Sequence, residues 1–106
     1  MFAPGCDHCQ ATAKEICALS KKYQLPDVYI IFMDEETFKL PEFFQHAQCN
    51  FPYQVITIPE FWTLLGSGGN TPAVFCLWNG NIVKSFEGTD KNKFDAQACI
   101  DAFKAK

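Results

Sequence analysis

Met1-Phe2-Ala3-Pro4-Gly5-Cys6-Asp7-His8-Cys9-Gln10 opens the chain, and its reading decides the fold. Two cysteines stand two residues apart, behind a Pro-Gly turn and ahead of a stretch patterned like a helix. A Cys-x-x-Cys pair that opens a helix can cycle between dithiol and disulfide, because that spacing allows Cα atoms within about 7 Å. Cys6 falls at the expected helix N-terminus, where unpaired N–H groups and the macrodipole favour thiolate over thiol. Cys6 is then the attacking sulfur and Cys9 the resolving one, a turn further in. Asp7 and His8 modulate the pair: a protonated His8 stabilises the thiolate and Asp7 opposes it. A structural disulfide or an inert pair is the bland alternative.

Working outward, residues 10–23 place Ala13, Ile16 and Cys17 on one side at helical spacing, with Lys21 and Lys22 in the last turn. Pro26 closes that helix. Residues 28–33 are a short unbroken apolar run, the pattern of a strand covered on both faces. A strand–helix–strand unit follows, with the cysteine pair at its first turn. Asp34-Glu35-Glu36 reads as a turn, and Pro41 as the start of a helix through Glu42, Phe43, Phe44 and Ala47. Residues 53–58 read as extended. Pro59 begins a short helix with Phe61, Trp62, Leu64 and Leu65 inward, Gly66 ends it, and residues 67–70 form a flexible loop. Residues 72–78 and 81–86 pair as a hairpin about Asn79-Gly80, and Gly88 breaks the run. Asp90 is the expected N-cap of a last helix carrying Phe94, Ala98, Ile100, Ala102 and Phe103.

Length allows one domain over 106 residues, and 48% apolar with 20% charged residues excludes a disordered chain. Eleven Phe supply a bulky aromatic core. A formal charge of −3 without a basic cluster gives no support for nucleic acid or anionic membrane as partner. No apolar run reaches the ~20 residues of a membrane span, so membrane attachment would need sequence upstream of Met1. Cys17, Cys76 and Cys99 lie scattered in apolar segments and read as small buried hydrophobes, and Cys49 as a loop thiol or filler. Trp62 and Trp78 read as core, while Phe2 and Pro72 are candidates for an apolar rim around Cys6. Cys6, Cys9, His46 and Cys49 could supply a tetrahedral zinc set, a weaker reading because the first pair opens a helix. Only Met1 and Phe2 remain where a strand should precede the motif, so the chain reads as a single domain, 1–106, excised from a longer protein.

The element order, together with Pro4-Gly5-Cys6-Asp7-His8-Cys9 and Thr71-Pro72, resembles the thioredoxin-like superfamily. Pro72 follows Cys9 by 63 positions, and Asn70-Thr71-Pro72-Ala73-Val74-Phe75 with Asn79-Gly80 and Gly88 is similar to the TlpA/ResA-like members. The resemblance implies an α/β three-layer sandwich, N-terminally truncated with its first strands missing, and an insertion before the cis-proline strand. It implies a cis Thr71–Pro72 bond whose backbone edge pairs with an extended substrate, and no cofactor or metal. The activity implied is thiol–disulfide exchange with protein thiols and disulfides, recharged by a redox partner protein. The family's strands before the motif and their buried acid are absent, and the usual Trp or Pro inside the motif is replaced by Asp7 and His8. The inserted form fits the extracytoplasmic side, in the periplasm or on the outer face of the membrane; scattered free cysteines fit the cytoplasm instead. The alternative function is a non-catalytic binding module or zinc-binding domain of a larger, membrane-anchored protein.

Overall fold

The computed structural model describes residues 1–66 and 68–105, so Ser67 of the expected loop lies outside the described residues. The first helix, α1 (Asp7–Lys22), buries Cys9, Thr12, Ala13, Ile16, Cys17 and Leu19, the stripe that helical periodicity demands. It stops at Tyr23, whose extended backbone breaks the spiral before Pro26 is reached. Strand β1 (Ile30–Met33) is buried at three of its four residues and runs parallel to β2 (Tyr53–Ile56), with Ile30 opposite Tyr53 and Met33 opposite Ile56. A 3-10 turn over Thr37–Lys39 leads into α2 (Leu40–Ala47), whose first turn takes Pro41 at a position where the missing N–H costs nothing.

Helix α3 (Ile58–Leu65) starts on a capping box. Thr57 Oγ1 accepts from the Glu60 N–H at 3.2 Å, and the Glu60 carboxylate accepts from the Thr57 N–H at 3.4 Å. Expectation and structure differ on its faces: Phe61 is buried, but Trp62 is 41% and Leu64 60% exposed. A helix of eight residues offers only one narrow stripe to β1, so its remaining apolar side chains face outward.

Strands β3 (Ala73–Trp78) and β4 (Asn81–Glu87) form the antiparallel hairpin. Asn79 and Gly80 take φ values of 53° and 78°, as a two-residue turn matched to strand twist requires. Trp78 at the hairpin end is exposed, not core. The last helix, α4 (Ala96–Lys104), is capped by Asp95, whose Oδ1 accepts from the Ala98 N–H at 3.1 Å. Asp90 is not the cap, because the residues after it are held as a turn: Lys93 N–H reaches Asp90 O at 3.1 Å and Glu87 N–H reaches Asn92 O at 2.7 Å.

The two strand pairs are joined through the first two residues. Phe2 N–H donates to Ile31 O at 3.0 Å, and Met33 N–H donates to Phe2 O at 3.1 Å, a parallel bridge to β1. On the other side Met1 and Ala73 exchange both main-chain hydrogen bonds, at 2.6 and 3.1 Å. The spatial order is therefore β2, β1, Met1–Phe2, β3, β4. Phe2 is buried inside this arrangement and packs on Phe43, with ring centroids 5.9 Å apart, so it forms no rim around Cys6. Phe32 stands edge-on to Phe43 at 4.9 Å, and Phe44 and Tyr53 extend the cluster. Burying rings of this size contributes about 1.5–3 kcal/mol each, which is what fixes the short strands in register.

Candidate functional site

The turn over Pro4-Gly5 carries the chain from the Met1–Phe2 bridge straight into α1. Cys6 N–H donates to Ala3 O at 3.2 Å, and Gln10 N–H donates to Cys6 O at 3.0 Å, so Cys6 is the N-cap. Its sulfur does what a cap serine hydroxyl would do, accepting the Cys9 N–H at 3.3 Å. Cys6 is half-buried, while Cys9 is fully enclosed. Burial, and after it a hydrogen bond with the Cys6 sulfur, pushes the Cys9 thiol well above the ordinary thiol range. Two sulfurs in one helical turn thus differ in access: Cys6 is the one that solvent reaches, and Cys9 keeps its proton beneath it. Asp7 and His8 occupy the exposed first turn of α1, with Asp7 where a carboxylate suits the dipole.

Gly5 has a local reason. A Cβ there would stand 2.7 Å from Glu36 Oε1, so the glycine makes room for a carboxylate lying against the turn ahead of Cys6. Glu36 reaches that place from a left-handed backbone conformation and is held by Lys39 at 2.8 Å. The sequence offered Glu36 only as part of a polar turn; the signal in hindsight is the carboxylate run directly after a buried strand.

Thr71 and Pro72 lie at the entry to β3, and the bond between them is cis. The Thr71 N–H donates to Asn70 Oδ1 at 2.9 Å, and the Asn70 N–H to a Glu87 carboxylate oxygen at 3.3 Å. Pro72 O accepts from the Gly88 N–H at 2.9 Å. Gly88 takes a φ of 72°, and a Cβ on it would press on the Asn70 side chain, so that glycine closes the hairpin against the Asn70–Pro72 corner. The next residue, Ala73, is the one bonded to Met1, which ties this corner to the segment that delivers Cys6. Pro72 is itself buried and provides no exposed apolar rim.

The remaining cysteines correct the sequence reading. Cys17 is not a plain buried hydrophobe and Cys49 is not a free thiol: they form a disulfide between α1 and the residue after the α2 cap, 32 positions apart. With Cys49 bonded, the zinc set of Cys6, Cys9, His46 and Cys49 is incomplete, and His46 faces Glu42 at 3.8 Å on an exposed helix surface. Among the described residues no group of three or more His, Cys, Asp or Glu is placed to hold a metal. Cys76 and Cys99, read as separate fillers, have their sulfurs 3.4 Å apart. Inward alternation on β3 and the apolar stripe on α4 place each in the core, but no local pattern encodes their meeting.

A helix-capping dithiol, a disulfide and a second close sulfur pair are the groups that cysteine redox chemistry uses, and this α/β chain brings all three together. No protein-family model matches the chain. It is 45% identical over 104 residues to a protein named TlpB from Flavobacterium psychrophilum, a match covering 94% of this chain. The chain spans 28% of that protein's length.

Proposed function

We propose that the chain is a thiol–disulfide oxidoreductase domain of TlpA-like, thioredoxin-like type, exchanging disulfides with protein substrates. The observation that carries this is the difference between two sulfurs in one turn: Cys6 accessible at the helix N-cap, Cys9 enclosed with its proton. The Cys6 thiolate attacks one sulfur of a substrate disulfide, and the other substrate sulfur leaves as a thiol once protonated. Cys9 then gives up its proton and attacks Cys6, which releases the second substrate thiol and leaves a Cys6–Cys9 disulfide. A redox partner protein returns the two electrons. Asp7 and His8 set the charge around Cys6, and the backbone at Thr71, ahead of Pro72, offers an edge for an extended substrate segment.

The order β2, β1, Met1–Phe2, β3, β4 supports a thioredoxin-like sandwich. The Cys17–Cys49 disulfide supports an extracytoplasmic setting, since disulfides persist in oxidising compartments. No helix among the described residues is long and apolar enough to cross a membrane.

The test is reduction of a disulfide-bonded reporter protein by a small thiol reductant. The chain should accelerate it, Cys6→Ser should return the rate to that of the reductant alone, and Cys9→Ser should accumulate a mixed disulfide at Cys6. Undiminished acceleration by Cys6→Ser would sink the reading.

A further inference from the structure

We infer that Cys76 and Cys99 are a second dithiol, which a small neutral hydroperoxide closes to a disulfide bridging β3 and α4. The two sulfurs, 23 positions apart in sequence, lie 3.4 Å from each other. An approach of about 1.4 Å would bring them to bonding distance. The residues are only 4% and 5% exposed, so a bulky oxidant cannot reach them from outside. Both are set among apolar side chains, Ile16, Val74 and Phe103 among them. Burial in such surroundings favours a small uncharged oxidant over an anionic, peptide-sized one such as oxidised glutathione.

The hydrogen bond between the sulfurs decides which attacks. Either sulfur can donate in that contact; the shared hydrogen bond, with burial adding to it, raises Cys76 and lowers Cys99, so Cys99 is the sulfur assigned the attack. The Cys99 thiolate attacks the terminal oxygen of the hydroperoxide, the O–O bond breaks, and the departing oxygen leaves as an alcohol, or as water from hydrogen peroxide, once protonated. Cys99 is then a sulfenic acid. The Cys76 sulfur attacks it, the S–S bond forms, and hydroxide leaves as water with the Cys76 proton. Two thiols and one peroxide give one disulfide, one alcohol and one water; two electrons pass from sulfur to oxygen. The bridge would fix α4 to the strand that begins next to Pro72, a change in the hairpin half that needs neither Cys6 nor Cys9.

The test uses the whole chain carrying Cys6→Ala and Cys9→Ala, reduced, freed of reductant, and exposed to hydrogen peroxide or oxidised glutathione. Free thiols are then blocked in denaturant, and the protein is digested with trypsin and chymotrypsin for mass spectrometry. The expected result is a linked Cys76–Cys99 peptide pair that forms at least about tenfold faster with peroxide than with the glutathione disulfide. The unsubstituted chain is mapped in parallel, so a fold loss in the variant does not hide the pair. Cys76→Ser should stop at a sulfenic acid on Cys99 that dimedone traps, and Cys99→Ser should stay unreactive. Thiols that stay free in the folded chain, Cys99 driven to sulfinic acid without a link, or equal rates with the two oxidants would each overturn the inference. None of these outcomes bears on reporter turnover at Cys6.

Discussion

The half of the molecule built from α1, β1 and α2 and the half built from β3, β4 and α4 each hold one close pair of free cysteines, yet they are held together differently. In the first half, Phe2, Phe32, Phe43 and Phe44 interlock, and the Cys17–Cys49 disulfide staples α1 to the end of α2. In the second, one aromatic pair, Phe86 on Phe94 at 5.2 Å, stands beside two unbonded sulfurs, and Phe75, Leu77, Trp78 and Ile82 remain exposed on the hairpin. A dithiol at a helix cap works only if the helix N-terminus stays put, because the cap geometry makes one sulfur accessible and the other not. The first half supplies that fixity through its core and its staple. The hairpin half has looser means, and its own sulfur pair is the one contact that chemistry could convert into a covalent one.

The largest test of this contrast is Phe43→Ala. Phe43 is fully buried and touches three other rings or ring edges, so its truncation should cost about 3–5 kcal/mol in a urea melt. Phe94→Ala, at the rim of the hairpin core with one ring partner, should cost less. Equal losses would break the contrast between a locked half and a looser one. Next in size is removal of the staple by Cys17→Ser with Cys49→Ser. Releasing a closed loop of 32 positions should lower stability by about 3–4 kcal/mol while leaving the Cys6–Cys9 turn intact. The check is a pair of measurements, a melt and a peptide map; an unchanged melting midpoint would show that the staple holds nothing.

What the sequence made legible divides along the same line. Local signals placed α1, β1, the hairpin with its Asn79-Gly80 turn, and Cys6 at a cap, because each rests on residues within a few positions of one another. The last helix began five residues late, since Asp90 and Asp95 are equally good caps by composition and only the Asn92–Glu87 contact decides between them. Trp62 and Trp78 misled because apolar bulk says nothing about how much neighbouring surface a short element is offered. Both long-range sulfur pairings, and the seating of Glu36 against Gly5, depend on how distant elements cross, which no spacing along the chain records.

The finest test separates the two free pairs by pH. In the reduced protein, burial and the bond to Cys6 keep the Cys9 thiol protonated, whereas the unfolded chain releases that proton near the ordinary value of 9.0. Above 9.0 the unfolded state therefore binds fewer protons than the folded one, and the stability present below that pH is lost as pH rises, at about 1.4 kcal/mol per pH unit for one group. The Cys76–Cys99 pair acts in two directions. Cys99, lowered by its hydrogen bond with Cys76, releases its proton early, so stability rises as pH approaches 9.0 from below; Cys76, raised by that same bond and by burial, then makes stability fall above 9.0. Urea melts of the reduced chain from about pH 7 to about pH 10 should accordingly show a shallow rise followed by a fall. Cys9→Ala should keep the rise and weaken the fall, while Cys76→Ala with Cys99→Ala should weaken the rise, leaving the part below pH 8.0 that the buried Met1 amino group contributes, and keep a fall. Identical pH profiles for the two variants would mean that the sulfur pairs differ in position only, not in the way the fold treats their protons.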